Sequence, residues 1–342
     1  MSKQKPYADS MAFLALQGQP PTFDPSKRPQ LALAHVTTVP PFIQEFEAAL
    51  AAHRNFREVA LANPGVREIR TQDDVLKQDG TMGLVFGMQY MPPKMTHSRL
   101  QQLHNAGIRI MQLAYDGPTE YGGGFTSTIG LTDRGKELIM WMAECRMLLD
   151  LSHANQRTTS MALSFIQKEG LPLKPMISHT GCASAYQHQR NVVDGAMEDI
   201  AQMGGYIGIL LISFYLGREW VGKKKGDPLK NFLRHVTHAV TTVGSEAIGI
   251  GSDCPHIDQT LIQAEQQYNK MTRTLKTGGT FGEYFPDRPE EVTEHGSVMF
   301  DVLYEKLTAA KPFGAEGFSE RVVDNLCGGN LKSFFARSLP RA

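Results

Sequence analysis

Excess charge of one sign is absent, because 35 basic and 35 acidic residues cancel across 342 positions. With no basic stripe and no polybasic amphipathic segment, neither nucleic acid nor a membrane surface is expected as a partner. Cysteine is scarce: Cys145, Cys182, Cys254 and Cys327 lie far apart and form no CxxC pair. That excludes a disulfide framework, and free thiols in a reducing compartment are expected. No apolar run reaches the ~18 residues of a spanning helix. The opening stretch MSKQKPYADSMAFLALQGQPP lacks the apolar core and cleavage site of a secretory signal. Internal repeats and low-complexity tracts are missing as well. The expectation left standing is a soluble, cytoplasmic, globular protein, and 41% hydrophobic residues suffice for a large core.

Present instead is an alternation of short apolar runs and longer amphipathic stretches. The runs fall at 31–35, 66–70, 83–88, 108–113, 147–151, 175–178, 206–211 and 247–251. Between them, 41–61, 98–105, 133–144, 156–168, 196–203 and 227–243 read as helices. Several of these carry apolar residues at three- and four-residue spacing, as Leu229, Phe232, Leu233, Val236 and Val240 do. Continuous apolar runs suit parallel strands, which are buried on both faces. Eight of them, each followed by a helix or long loop, predict a (β/α)8 TIM barrel, a fold of about 250 residues or more. Residues 1–29, rich in proline, are expected to be an N-terminal arm, with 30–342 a single barrel domain. An insertion at about 256–311 interrupts that domain, and 315–338 reads as a terminal helical segment.

Four of the runs end on a side chain able to bind metal. LALAH ends on His35, MLLDLSH on His153, KPMISH on His179 and AIGIGSD on Asp253. In such barrels the chemistry sits where strands end, so folding should gather these four at one mouth. Imidazoles plus a carboxylate suit zinc or another divalent ion and can leave a position open for water. A bound ion brings the pKa of that water toward ~7. Asp253 can act as ligand, as the base that takes the water's proton, or as both. His256 is open between ligand and supporting group, while Cys254 reads as a buried neutral thiol. His53, His97, His104, His188, His235, His238 and His295 lie in helical or loop patterns and are expected to be solvated. Arg190-Asn191 follows His179 in a loop expected to arch over the mouth, where a guanidinium would grip a carboxylate bidentately. Tyr115 and the Gly122-Gly123-Gly124 run read as a flexible active-site loop.

The stretches GIRIMQLAY, GLTDRGKELIMWMAECRMLLDLSH, PMISHTGCASAYQHQRN, GGYIGI, AIGIGSD and LCGGNLKSFF occur in order over about residues 80–336. In them the chain resembles the membrane (renal) dipeptidase family of zinc metallopeptidases, within the amidohydrolase-like barrels. The resemblance implies a (β/α)8 barrel, a two-zinc site, hydrolysis of dipeptides and sometimes β-lactams, and often a homodimer. By position it implies that His153 and His179 share one metal and that Asp253 lies near the other metal and the attacking water. Arg190, with Asn191, would bind the substrate's carboxylate.

Departures from the pattern change the expectation. The family's opening HxD at the end of the first strand is matched to His35-Val36-Thr37, which lacks the aspartate. Its metal-bridging carboxylate is matched to Gln89, with Met88 as the other candidate. Tyr115 stands where the family has an oxyanion-stabilising histidine, and as a hydrogen-bond donor it could take over that role. Two divalent ions with two carboxylates fewer would repel severely in a low-dielectric pocket. One ion, zinc or another divalent metal, is therefore expected, with ligand candidates His153, His179, Asp253, His35 and Gln89. The expected function is a mononuclear metal-dependent hydrolase acting on a peptide-like C–N bond of a small carboxylated substrate. Left open are an inactive binding protein, a specialised-metabolism enzyme with non-peptidase chemistry, and a plain two-metal dipeptidase.

Overall fold

The computed structural model describes residues 6–14, 30–41, 43–217, 228–255, 303–304, 307–309 and 318–341. Its strands are β1 (Tyr7–Phe13), β2 (Leu31–Thr37), β3 (Val66–Glu68), β4 (Met82–Met88) and β5 (Ile108–Gln112). They continue as β6 (Leu148–Asp150), β7 (Pro175–Thr180), β8 (Tyr206–Ile209), β9 (Ile248–Ile250) and β10 (Cys254–Pro255). All pair in parallel, in the order β10-β1-β2-β4-β5-β6-β7-β8-β9, with β3 attached beside β4. The chain leaving β9 turns back as β10 against β1, where Ala12 faces Cys254. That contact closes a (β/α)8 barrel.

Two expectations fail here. Residues 7–13 are a barrel stave and not part of an arm, and the run at 66–70 is a short side strand and not a stave. Asp9 and Ser10 break the apolar run of β1, which hides it from a hydrophobicity reading. Both are nonetheless fully buried, with Ser10 Oγ donating to the carbonyls of Ser178 and Ile250. The insertion expected at 256–311 lies almost wholly outside the described residues.

Several helices on the barrel's outside begin on side-chain caps that absorb free N–H groups. Thr132 accepts from Gly135 N ahead of the helix Asp133–Glu144, and Asn155 from Thr158 N ahead of the helix Gln156–Lys168. Asn155 also donates to the carbonyls of Ser127 and Ile129, pinning the 115–131 loop to the tip of β6. The terminal segment is helical as expected, with helices at Glu320–Asp324 and Asn330–Ser338. Leu331, Phe334 and Phe335 of the second pack on Leu33, Val85, Ile110, Leu148, Met176 and Tyr206, filling the bottom of the barrel. Side chains alternate along a strand, so two positions further on the same face carries His35, Gly87, Gln112, Asp150, Ser178 and Gly208. An apolar floor thus lies beneath a polar layer, and the strand tips stand above both. Among the described residues no helix is long and apolar enough to cross a membrane.

Two of the histidines expected in solvent are buried instead. His53, in the helix Phe46–Leu61, contacts the Thr38 hydroxyl through Nδ1 (2.9 Å) and the Ala106 carbonyl through Nε2 (3.1 Å). His235 accepts from Cys182 N at Nδ1 and donates from Nε2 to the Leu216 carbonyl. Burial lowers each imidazole to about 4. In acid the unfolded chain therefore takes up protons first, near 6.5. Stability is complete above that value and declines as pH falls toward about 4, by roughly 3 kcal/mol for each group. Urea midpoints should drop between pH 7 and 4.5, and His235→Gln should flatten part of that slope. Equal slopes in both proteins would overturn the assignment.

Candidate active site

The tips of β6, β7 and β9 converge. His153 Nε2 lies 2.9 Å from His179 Nε2, and Asp253 Oδ1 lies 3.8 Å from His179 Nε2. His153 and Asp253 hold left-handed backbone angles (φ 64° and 56°). In a non-glycine residue this costs on the order of 1 kcal/mol and is concentrated at functional sites.

Hydrogen bonds to the other ring nitrogens fix which atoms carry protons. His153 Nδ1 is 2.7 Å from Asp116 Oδ1, and only a donating N–H suits a carboxylate there. Ser178 Oγ donates to Asp150 Oδ2 at 2.6 Å, so toward His179 it accepts, and His179 Nδ1 donates at 2.7 Å. Both Nε2 atoms therefore present lone pairs to each other. Burial, then the Arg190 guanidinium, lowers His153 to about 4 and His179 well below the usual imidazole range, so both rings are neutral near pH 7. Two converging neutral imidazoles braced at their far nitrogens are a donor set for one divalent cation.

Asp253 is raised to about 7, chiefly by burial. Arg190 opposes that shift, while Asp9, Asp116 and Asp150 add to it. Its side chain keeps 18% exposure, which suits a group that exchanges protons with solvent. Tyr115 lies against His153, with ring centroids 4.2 Å apart and planes 24° apart. Burial, together with Asp116 and Asp253, raises its hydroxyl well above 10, so it stays a proton donor. Arg190 is buried, its Nε and Nη2 have no hydrogen-bond partner among the described residues, and its guanidinium lies 5.9 Å from the Tyr215 ring centroid. A buried guanidinium left with donors to spare is built to receive an anion. Phe125, His188 and Tyr215 wall the same mouth, and His188 is half-buried, accepting from Arg190 N, where solvent was expected.

Other expected residues are not brought in. His35 Nδ1 donates to the Ser10 carbonyl (2.7 Å), and its buried Nε2 has no partner among the described residues. Gln89 Nε2 lies 3.2 Å from Met11 Sδ. No group of three or more His, Cys, Asp or Glu able to hold a metal occurs among the described residues, so neither His35 nor Asp253 completes one with the histidine pair. β1 and not β2 is the first stave, and its end carries Met11, Ala12 and Phe13, which offer neither imidazole nor carboxylate. Among the described residues the donors that converge are the two imidazoles of His153 and His179. Asn191 is spent on backbone, donating to the carbonyls of Tyr186 and Tyr215 and accepting from Gly181 N. It shapes the loop that carries Arg190. His256 and the side chain of Cys254 lie outside the described residues.

Sequence reasoning overlooked Asp116, Asp150 and Asp9. A signal existed: each converging tip residue is preceded by a serine, in LSH, ISH and GSD, and those serines are bound to buried aspartates.

A (β/α)8 barrel with a braced histidine pair at its C-terminal mouth defines a metallohydrolase-like architecture. The profile of the membrane dipeptidase family, peptidase family M19, matches residues 21–280. The chain belongs to that family. It is 27% identical over 216 residues to an uncharacterised dipeptidase of Schizosaccharomyces pombe, covering 59% of this chain and 49% of that protein. It is 31% identical over 165 residues to dipeptidase tcpJ of Claviceps purpurea, covering 46% and 36%. The chain thus spans about half or less of the length of these two relatives. Among solved structures, an amidohydrolase from Pseudomonas aeruginosa superposes with TM-score 0.74 at 19% identity, covering 98% of this chain and 96% of that one. A metallopeptidase from Rhodobacter sphaeroides, bound to a phosphinate mimic of L-Ala-D-Ala, gives TM-score 0.67 at 16% identity, covering 98% and 100%. At these identities the likeness concerns the fold.

Proposed function

We propose that this chain is a metal-dependent hydrolase that cleaves a peptide-like C–N bond in a small carboxylated, dipeptide-like substrate. The observation that carries the reading is the approach of His153 Nε2 to His179 Nε2 at 2.9 Å beside Asp253, at a mouth where Arg190 Nε and Nη2 have no hydrogen-bond partner among the described residues. His153 and His179 would hold one divalent ion, zinc by family membership. When bound, such an ion supplies Lewis acidity and a more acidic water. Asp253, poised near neutrality, takes the proton of the attacking water and returns it to the leaving nitrogen. Arg190 binds the substrate carboxylate and sets the distance from it to the scissile bond. Tyr115 donates a hydrogen bond to the developing oxyanion. Phe125, His188 and Tyr215 narrow the mouth and limit water. The balanced charge and the family suit a cytoplasmic homodimer with no nucleic-acid or membrane partner.

A second reading rests on Met11 and Gln89, which occupy the other half of the mouth with no charge to hold a second ion. A barrel that keeps Arg190 but no complete catalytic centre would be a carboxylate-binding protein. Metal analysis of the purified chain, with assays on a dipeptide panel for the protein and for His153→Ala, tests the first reading. About one ion per chain and hydrolysis abolished by the substitution are expected. Neither bound metal nor any effect of the substitution would favour the second.

A further inference from the structure

We propose that Asp150 is the positioning residue of this site: through Ser178 it keeps the Nδ1 proton of His179 in place, and so keeps the histidine pair open to a cation. Asp150 is 1% exposed and forms no ion pair among the described residues, yet five donors converge on its two oxygens. Ser152 N (2.9 Å), Ser152 Oγ (2.7 Å) and Ser178 N (2.9 Å) reach Oδ1. Ser178 Oγ (2.6 Å) and Gln112 Nε2 (2.8 Å) reach Oδ2. Each serine immediately precedes one histidine of the pair, so a single carboxylate sets the register of both tips. The device recurs at the third tip. Ser252 offers both its N–H (2.8 Å) and its Oγ to Asp9, one residue before Asp253. A buried carboxylate is costly unless its oxygens are saturated, and a barrel interior could be filled more cheaply with apolar side chains. The arrangement is explained by what it holds.

The consequence lies in the tautomer. At 2.9 Å the two imidazoles could satisfy each other if His179 carried its proton on Nε2 and donated it to His153 Nε2. That would close the metal site from within. Closure requires Ser178 to turn its proton toward His179 Nδ1. Asp150 prevents this by taking that proton, which leaves the Ser178 oxygen as acceptor and Nδ1–H as donor. His153 needs no such help, because Asp116 already holds its Nδ1 proton.

The test is imidazole 15N NMR on the metal-free full chain, with Ser178→Ala and Asp150→Asn alongside wild type. Wild type should show both histidines protonated at Nδ1. In the variants His179 should move to, or mix with, the Nε2–H form, while His153 moves less. Titration with Co2+ alone should show affinity falling about 10- to 100-fold, the usual effect of losing a group that braces a ligand. Ser178→Ala leaves the other donors to Asp150 in place and carries the test if Asp150→Asn does not fold. His179 unchanged in tautomer, with Co2+ affinity within about twofold of wild type, would overturn the proposal. The cobalt arm rests on the metal-site reading; a wild type that takes up no Co2+ defeats that reading, while the metal-free spectra still decide the role of Asp150.

Discussion

Excess zinc should raise the melting temperature of this protein, and His179→Ala should abolish the shift together with any zinc-dependent hydrolysis. An ion that binds only the folded state stabilises it by RT ln(1 + [L]/Kd), about 2.7 kcal/mol at a hundredfold excess over Kd. For a domain larger than about 200 residues each kcal/mol moves the midpoint by roughly 2 °C, so a shift of about 5 °C is expected. With His179 removed, His153 alone faces Asp253 across the mouth, too few donors to hold the ion. The alanine also leaves a cavity in a buried position, so the variant should start from a lower midpoint. The diagnostic quantity is therefore the difference with and without zinc, measured by calorimetry for each protein. An undiminished zinc shift in His179→Ala would remove the histidine pair from the site.

The second large effect concerns Arg190. Its guanidinium is buried, with two nitrogens lacking a hydrogen-bond partner among the described residues, so a bound carboxylate gains a charge-assisted pairing shielded from water. Truncating one partner of such a buried pair typically costs 2–5 kcal/mol, which is about 30- to 4,000-fold in kcat/KM. Arg190→Met should lose this much on substrates with a free carboxylate and little on the same substrates capped as amides. The capped substrates are the control, since a general disruption of the mouth would weaken both. Arg190→Lys should recover only part, because a point charge cannot reproduce the planar fork. Equal losses on free and capped substrates would show that Arg190 supports the fold and not the substrate.

The legibility of this protein in its sequence divides by kind of residue. The staves at 83–88, 108–113, 147–151 and 175–178 read correctly because parallel strands bury both faces and leave a continuous apolar signal. The stave at 7–13 did not, since Asp9 and Ser10 look like loop residues until their partners on β7 and β9 are known. That single omission put β2 in the place of the first stave and made His35 a candidate ligand. His35 has the right chemistry at the end of an apolar run, yet its Nδ1 is tied to a neighbouring stave. Asn191 likewise looked available, and the fold spends its side-chain polar atoms on the backbone of its own loop and of Tyr215 beyond β8.

Local order along the chain was enough to determine the barrel class, the family, and the convergence of His153, His179 and Asp253. Strand-end position is a property of a run and its last residue, and barrel closure brings such ends together. Only the tertiary structure decided how those groups are held: the Asp116 brace, the Asp150 hub, the contact between Met11 and Gln89, and the Arg190 donors with no partner among the described residues. These depend on distances between staves separated by tens to hundreds of residues, and proton placement in a buried network follows the nearest acceptor in space rather than in sequence.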